Sequence, residues 1–167
     1  MDDIALQTLR EELRDDCRLA IDAFHKAEAR FERREEVAYE GCAHQLCRMD
    51  NAFEQSGLRV AKAFENNLDD EQGWHSVLLN RLAIKIEGVR PALIPQELKL
   101  PLQELKAFRH VFVHAYELEL DPEKLTLLLK YARQVVGRLP ALVEEFVRKV
   151  ASEQQIDLDG GRAGLKP

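Results

Sequence analysis

The chain has 167 residues, of which 46% are hydrophobic and 32% charged, and its formal net charge is −6. These values are typical of one soluble, well-patterned domain and exclude a chain that is basic overall, so nucleic acid would have to bind at a local patch. The apolar runs are shorter than the roughly 20 residues of a membrane span, and the acidic start Met1-Asp2-Asp3 is unlike a secretory signal. Three cysteines without a CxxC pair predict reduced thiols and a cytoplasmic location.

Two long helices are predicted in the first 65 residues, because apolar residues recur there at spacings of three and four. The first, over residues 3–34, has the stripe Leu9, Leu13, Cys17, Ala20, Phe24, Ala27 and Phe31. The second has Cys42, Leu46, Met49, Phe53, Gly57, Val60 and Phe64. The junction near Arg33-Arg34 contains neither Pro nor Gly, so the sequence does not place the turn.

Shorter helices are predicted in the second half. Residues 66–70 break the helical pattern, and Asp69 or Asp70 is a candidate N-cap for the next helix. The apolar residues of that helix are Trp74, Val77, Leu78, Leu82 and Ile86. Residues 90–101 hold three prolines and form a connector, and Pro101 is suited to open the next helix. The inward stripe of that helix is Leu105, Phe108, Phe112 and Ala115.

The last helix is expected to begin at Asp121-Pro122, an N-cap followed by a proline at the first helical position, and to kink at Pro140. The pattern as a whole predicts an all-α, up-and-down bundle of four to five helices, with the two long N-terminal helices antiparallel. We assign residues 1–151 to the bundle and residues 152–167 to a polar, flexible tail.

Residues 108–116 concentrate titratable groups on a predicted core helix: Arg109, His110, His114 and Tyr116. Burying such groups is costly unless they are satisfied or used. On a continuing helix, residues seven apart lie on nearly the same face and residues four apart are neighbours, which groups Arg109 with Tyr116 and His110 with His114. A guanidinium that can fork onto phosphate, beside an imidazole that moves protons near neutral pH, suits phosphodiester chemistry.

The stretch from Arg109 through His110 and His114 to Tyr116 resembles the R-x4-H-x-Y motif of the HEPN superfamily, and is most similar to the HepT toxins. Those toxins pair with a minimal nucleotidyltransferase antitoxin. The resemblance in helix order extends to about residue 151, and His110 occupies a slot that is often polar in the family. It implies a metal-independent endoribonuclease, without a cofactor, that acts as a homodimer on RNA such as tRNA or mRNA.

By this resemblance, His114 assists attack of a ribose 2′-OH, Arg109 holds the scissile phosphate, and Tyr116 lines the cleft. Tyr116 is also the residue that the antitoxin would adenylylate, and His110 is a possible fourth member of the site. Because the chain is acidic overall, RNA binding would need a local positive cleft. We expect two copies of Arg90, Lys106, Arg109 and the nearby histidines to form it at the dimer axis.

Three other interpretations remain open. Arg109 could have a purely structural role, paired with Glu104 or Glu117. The bundle could be a non-catalytic module that binds nucleotides or proteins. It could also be a metal enzyme, since His110 and His114 have the spacing of two zinc ligands on one helix, with His25 or His44 as a candidate third ligand.

Overall fold

A computed structural model describes residues 1–65, 74–115 and 118–156, without the side chains of residues 74–76. Five helices follow one another: α1 (Asp3–Phe31), α2 (Glu36–Phe64), α3 (Trp74–Leu82), α4 (Lys99–His114) and α5 (Pro122–Gln154). A 3₁₀ turn, Gln96–Leu98, leads into α4. The residues described here contain no strand, only an isolated bridge between Ile86 and Arg90. The predicted all-α bundle is confirmed. Among these helices, none is long and apolar enough to cross a membrane.

The helices α1 and α2 form an antiparallel hairpin. The Phe31 and Tyr39 rings meet near the turn, with centroids 5.5 Å apart, and Arg59 pairs with Glu12 at 3.0 Å towards the other end. The turn includes Arg34, whose φ of 53° lies in the left-handed region. Glycine usually occupies that conformation, so the sequence lacked the ordinary signal for this turn.

The helix α5 runs antiparallel to both α1 and α4. Its Glu144 accepts hydrogen bonds from Arg10 and Arg14 near the start of α1, whereas its Arg133 pairs with Glu28 near the end of α1. The main helices therefore alternate in direction and enclose one apolar core. The buried side chains of α5 recur at three and four residues and include Leu125, Leu128, Leu129, Ala132, Val135, Val136, Leu139, Leu142, Val143, Phe146, Val147 and Val150.

Several predicted boundaries need correction. The helix α4 begins at Lys99, so Pro101 lies inside its first turn, where amide groups have no helical partner and a missing N–H costs little. It ends at His114, which leaves Ala115 exposed and beyond the helix. Val77 is 44% exposed rather than inward, and Ile86 lies after the end of α3.

Other expectations hold or stay untested. Asp121 caps α5 as predicted, accepting a hydrogen bond of 2.9 Å from the Glu123 amide. The proposed N-cap at Asp69 or Asp70 lies outside the described residues, as do residues 157–167 of the predicted tail. Residues 152–154 continue α5, and the division into bundle and tail stays a prediction.

Candidate active site

The motif residues lie in the second half of α4, which packs against α2 on one side and α5 on the other. The buried face of α4 consists of Pro101, Leu102, Leu105 and Phe108. Phe112 continues this face only in part, since it is half-buried and stacks on Phe108 with ring centroids 5.8 Å apart. The polar motif residues therefore leave the helix beside the core rather than within it.

The Arg109 side chain reaches across to α2 and is 18% exposed. Its Nε lies 3.2 Å from Asp50 Oδ2, its Nη1 donates to Asn51 Oδ1, and its Nη2 donates to Glu54 Oε2. These partners come from one stretch of α2, at positions i, i+1 and i+4. We call Asp50, Asn51 and Glu54 the α2 clamp. Of the two partners considered from the sequence, Glu104 is replaced by this clamp and Glu117 lies outside the described residues.

The carboxyl group of Asp50 is almost fully enclosed, with its side chain 5% exposed. Burial raises the pKa of Asp50 to about 6, opposed by the positive charges of Arg109 and Lys106 and reinforced by the negative charge of Glu54. Burial dominates because removing a carboxylate from water costs more than one imperfect ion pair returns. Among the described residues, two carboxylates and two cations balance at this point, so these groups give no excess of positive charge.

Arg90 does not contribute to the expected positive cleft. Its guanidinium is fully buried and pairs with Glu65 at 2.8 Å. It also donates to the backbone carbonyl oxygens of Arg81, Ile84 and Pro91. Arg90 therefore ties the segment after α3 to the end of α2, and the part of the prediction that placed it in an RNA cleft is wrong.

His114 is exposed at the last position of α4, where its Nδ1 lies 2.8 Å from the backbone oxygen of His110. A carbonyl oxygen can only accept, so Nδ1 carries the hydrogen, and in the neutral imidazole Nε2 holds the lone pair. The ring of His110 lies beside it, with centroids 4.5 Å apart, and is also exposed. The geometry thus makes Nε2 of His114 the atom able to accept a proton.

The helix separates the two main motif residues. Arg109 and His114 are five positions apart, which is a rotation of about 140° on an α-helix. The guanidinium accordingly faces α2, whereas the imidazole lies at the open end of α4. The helix α4 ends at His114 and Ala115 is extended. Tyr116 lies outside the described residues, so its place beside Arg109 stays a prediction.

A metal site has no further ligands in the described part of the chain. No group of three or more His, Cys, Asp or Glu residues there lies close enough to hold an ion. His25 is exposed on α1, 3.7 Å from Glu28, and His44 is exposed on α2. Neither of them joins the pair on α4.

The motif on α4 does not include the α2 clamp, and the clamp was not predicted from the sequence. Its signal in the sequence is the polar group Asp50, Asn51 and Glu54, which lies beside Met49 and Phe53 of the apolar stripe of α2. A carboxylate beside an apolar stripe usually lies on a solvated face. Only the packing of α4 on α2 shows that Asp50 is buried against Arg109.

The comparisons with known proteins agree with this architecture. The family model described as HepT-like protein matches residues 41–150, which is more than half of the chain and runs from α2 into α5. The match includes the clamp, Arg109 and His114. No curated protein and no solved structure matches the chain. The chain therefore belongs to the HepT-like family of the HEPN superfamily.

Proposed function

We propose that this protein is a metal-independent endoribonuclease toxin, active as a homodimer and neutralised by a nucleotidyltransferase antitoxin that adenylylates Tyr116. One observation carries the catalytic part: an exposed His114 whose Nδ1 is engaged by a backbone carbonyl, which leaves Nε2 as the basic atom, on the same helix as a guanidinium held by α2. Membership of the HepT-like family supports the toxin–antitoxin context.

The chemistry is an internal transfer within RNA. Nε2 of His114 accepts the proton of a ribose 2′-OH, and the 2′ oxygen forms a bond to the adjacent phosphorus. The bond from phosphorus to the 5′ oxygen breaks, and that oxygen takes a proton from a second imidazole or from water. The products are a 2′,3′-cyclic phosphate and a 5′-OH. Arg109 stabilises the negative charge that develops on the phosphate oxygens.

The separation of Arg109 from His114 favours a composite site. A rotation of about 140° prevents one straight helix from aiming both groups at one phosphate. Two α4 helices related by a two-fold axis would bring His114 of one protomer towards Arg109 of the other, and would supply one imidazole as base and one as acid. One exposed aliphatic side chain lies beside each of the two groups: Val111, 46% exposed, is about 60° from His114 around the helix, and Val113, 64% exposed, is about 40° from Arg109.

The decisive experiment compares wild type with His114→Ala on total tRNA in the presence of EDTA, with the product ends mapped. Wild type should cleave and leave cyclic phosphate ends. The His114→Ala variant should lose about 100-fold or more of the rate, because acid–base groups contribute about 10²–10⁴-fold. The matched control is His25→Ala, an exposed histidine on α1, which should cleave like wild type.

Other outcomes contradict the proposal. Equal cleavage by His114→Ala and wild type would remove His114 from the mechanism, and cleavage abolished by EDTA would favour the metal enzyme. Intact mass measured on the same preparation shows whether AMP on Tyr116 has blocked the site. Light scattering that finds only a monomer would contradict the composite site.

A second candidate has one observation in its favour. The α2 clamp already provides Arg109 with two carboxylates and an amide oxygen, which is an environment also suited to a purely structural arginine. The bundle would then be a non-catalytic module that binds nucleotides or proteins. An unmodified wild-type protein that cuts no RNA, yet binds RNA or a protein partner equally well with and without Arg109→Ala, would support this candidate.

A further inference from the structure

We propose that Asp50 and Glu54 are positioning residues for Arg109, so that α2 contributes to phosphate recognition although it carries none of the motif. This inference rests on the proposed function, because it takes Arg109 as the group that binds the scissile phosphate. It assigns a role to two carboxylates outside the motif, and it predicts that removing either of them lowers kcat without raising KM.

The Arg109 guanidinium has more N–H donors than the α2 clamp engages. Arginine has five N–H groups in a rigid fork. The hydrogen bonds to Asn51 and Glu54 engage one N–H on each of the terminal nitrogens Nη1 and Nη2. The Nε atom lies 3.2 Å from Asp50 Oδ2, a buried oxygen that makes an ion pair with it but accepts no hydrogen bond from the described residues. Within the described residues this leaves one N–H on each terminal nitrogen, which is the number that a phosphate needs for a paired contact. The clamp therefore restrains the fork and does not use it up.

The carboxylates of the clamp and the guanidinium of Arg109 are mostly shielded from water. The side chains of Asp50 and Glu54 are 5% and 14% exposed, and that of Arg109 is 18% exposed. Charges that are mostly out of water interact strongly and reorient at high cost. A guanidinium held by a neighbouring helix is preorganised, so it spends no free energy on reorientation when charge develops on the phosphate.

The balance of charge distinguishes positioning from simple attraction. Two carboxylates beside Arg109 and Lys106 weaken the pull on an RNA phosphate, so their presence does not serve affinity. If they orient the guanidinium, removing one should lower kcat while KM stays the same or falls. A residue that only stabilises the fold would lower the active fraction and the melting temperature, and would leave the kcat of the folded fraction and KM unchanged.

The test measures kcat and KM for RNA cleavage by wild type, Glu54→Ala, Glu54→Gln and Asp50→Asn, each normalised to its folded fraction. We expect Glu54→Ala to lose about 100-fold in kcat, the cost of a catalytic group displaced by about 1 Å, without a rise in KM. The Glu54→Gln variant should recover part of that loss, since its amide oxygen still accepts a hydrogen bond. The control is Glu40→Gln, an exposed glutamate on α2, which should behave like wild type.

A second measurement reads the clamp without relying on turnover. The Nη signals of Arg109, assigned by their loss in Arg109→Lys, should show hindered rotation of the guanidinium in wild type, because Asn51 and Glu54 hold Nη1 and Nη2, and should show faster rotation in Glu54→Ala. Unchanged kcat in the variants of an active enzyme overturns the inference and leaves the proposed function intact. If wild type cuts no RNA, the proposed function fails, and freely rotating Nη groups in wild type then overturn the inference as well.

Discussion

Replacing Asp50 with Asn should change how the stability of this protein depends on pH. Burial raises the pKa of Asp50 from the usual 3.8 to about 6 in the folded chain. The folded state therefore holds a proton on Asp50 over a pH range in which the unfolded state has released it. Asparagine resembles the protonated aspartic acid in shape but cannot ionise, so the variant lacks this dependence.

The magnitude follows from the shift. Near pH 4 and below, Asp50 is protonated in the folded state and costs little. As the pH rises from 4 to 6 the unfolded state binds fewer protons than the folded state, so the free energy of unfolding of the wild type falls. Each pKa unit corresponds to about 1.4 kcal/mol, so the full shift lowers the free energy of unfolding by about 3 kcal/mol, and this loss is complete by about pH 7.

Urea unfolding of both proteins at intervals from pH 4 to pH 8 measures the effect. The difference, wild type minus Asp50→Asn, should fall by about 2 kcal/mol from pH 4 to pH 6 and level off near pH 7. The control is Glu145→Gln. The hydrogen bond from Lys149 lowers the pKa of Glu145, so its difference curve should rise with pH in the acid range. A difference for Asp50 that is constant from pH 4 to pH 8 would refute the reasoning.

Three further changes have expected outcomes. Removing the buried guanidinium by Arg90→Ala takes from Glu65 one of its two described arginine partners, the other being Arg81, and leaves the backbone oxygens of Arg81, Ile84 and Pro91 without this donor. It should cost about 3–5 kcal/mol in urea unfolding, and a loss below about 1 kcal/mol would contradict this. Gly137→Ala should add about 0.5–1 kcal/mol to the free energy of unfolding, because a Cβ at this exposed position in α5 meets nothing within 4 Å; a loss of stability would contradict this. Burial raises the pKa of each thiol, so none should react with a thiol reagent at pH 8 until denaturant is added, and rapid labelling of the folded chain would show otherwise. The thiol pKa is about 12 for Cys17 and Cys42 and about 11 for Cys47.

The helices were predictable because each buries one apolar stripe, and a stripe with spacings of three and four is a local property of the sequence. The start of α5 was predictable for a similar reason, since Asp121 and Pro122 act within one turn. The ends of α4 were not. Its first turn continues a 3₁₀ turn after Pro95, and it stops at His114 although no proline or glycine follows directly.

The candidate site divides in the same way. The motif on α4 was visible because its members are close together in the chain, and the hydrogen bond from His114 to the His110 carbonyl joins residues one turn apart. The clamp was not visible, because Arg109 is separated from Asp50 and Glu54 by more than fifty positions. The burial of Arg90 was not predictable either, because its partner Glu65 lies 25 positions earlier, at the end of α2.

The sequence by itself determined the helical class, the stripes that build the core, and the titratable group on α4, because helix periodicity and motif spacing act over a few residues. Only the tertiary structure decided which charges are neutralised. Whether a guanidinium can attract RNA or instead holds the fold together depends on the carboxylates and the dielectric around it, and both are set by helices distant in the chain. The packing of α4 on α2 therefore determines the charge environment of Arg109.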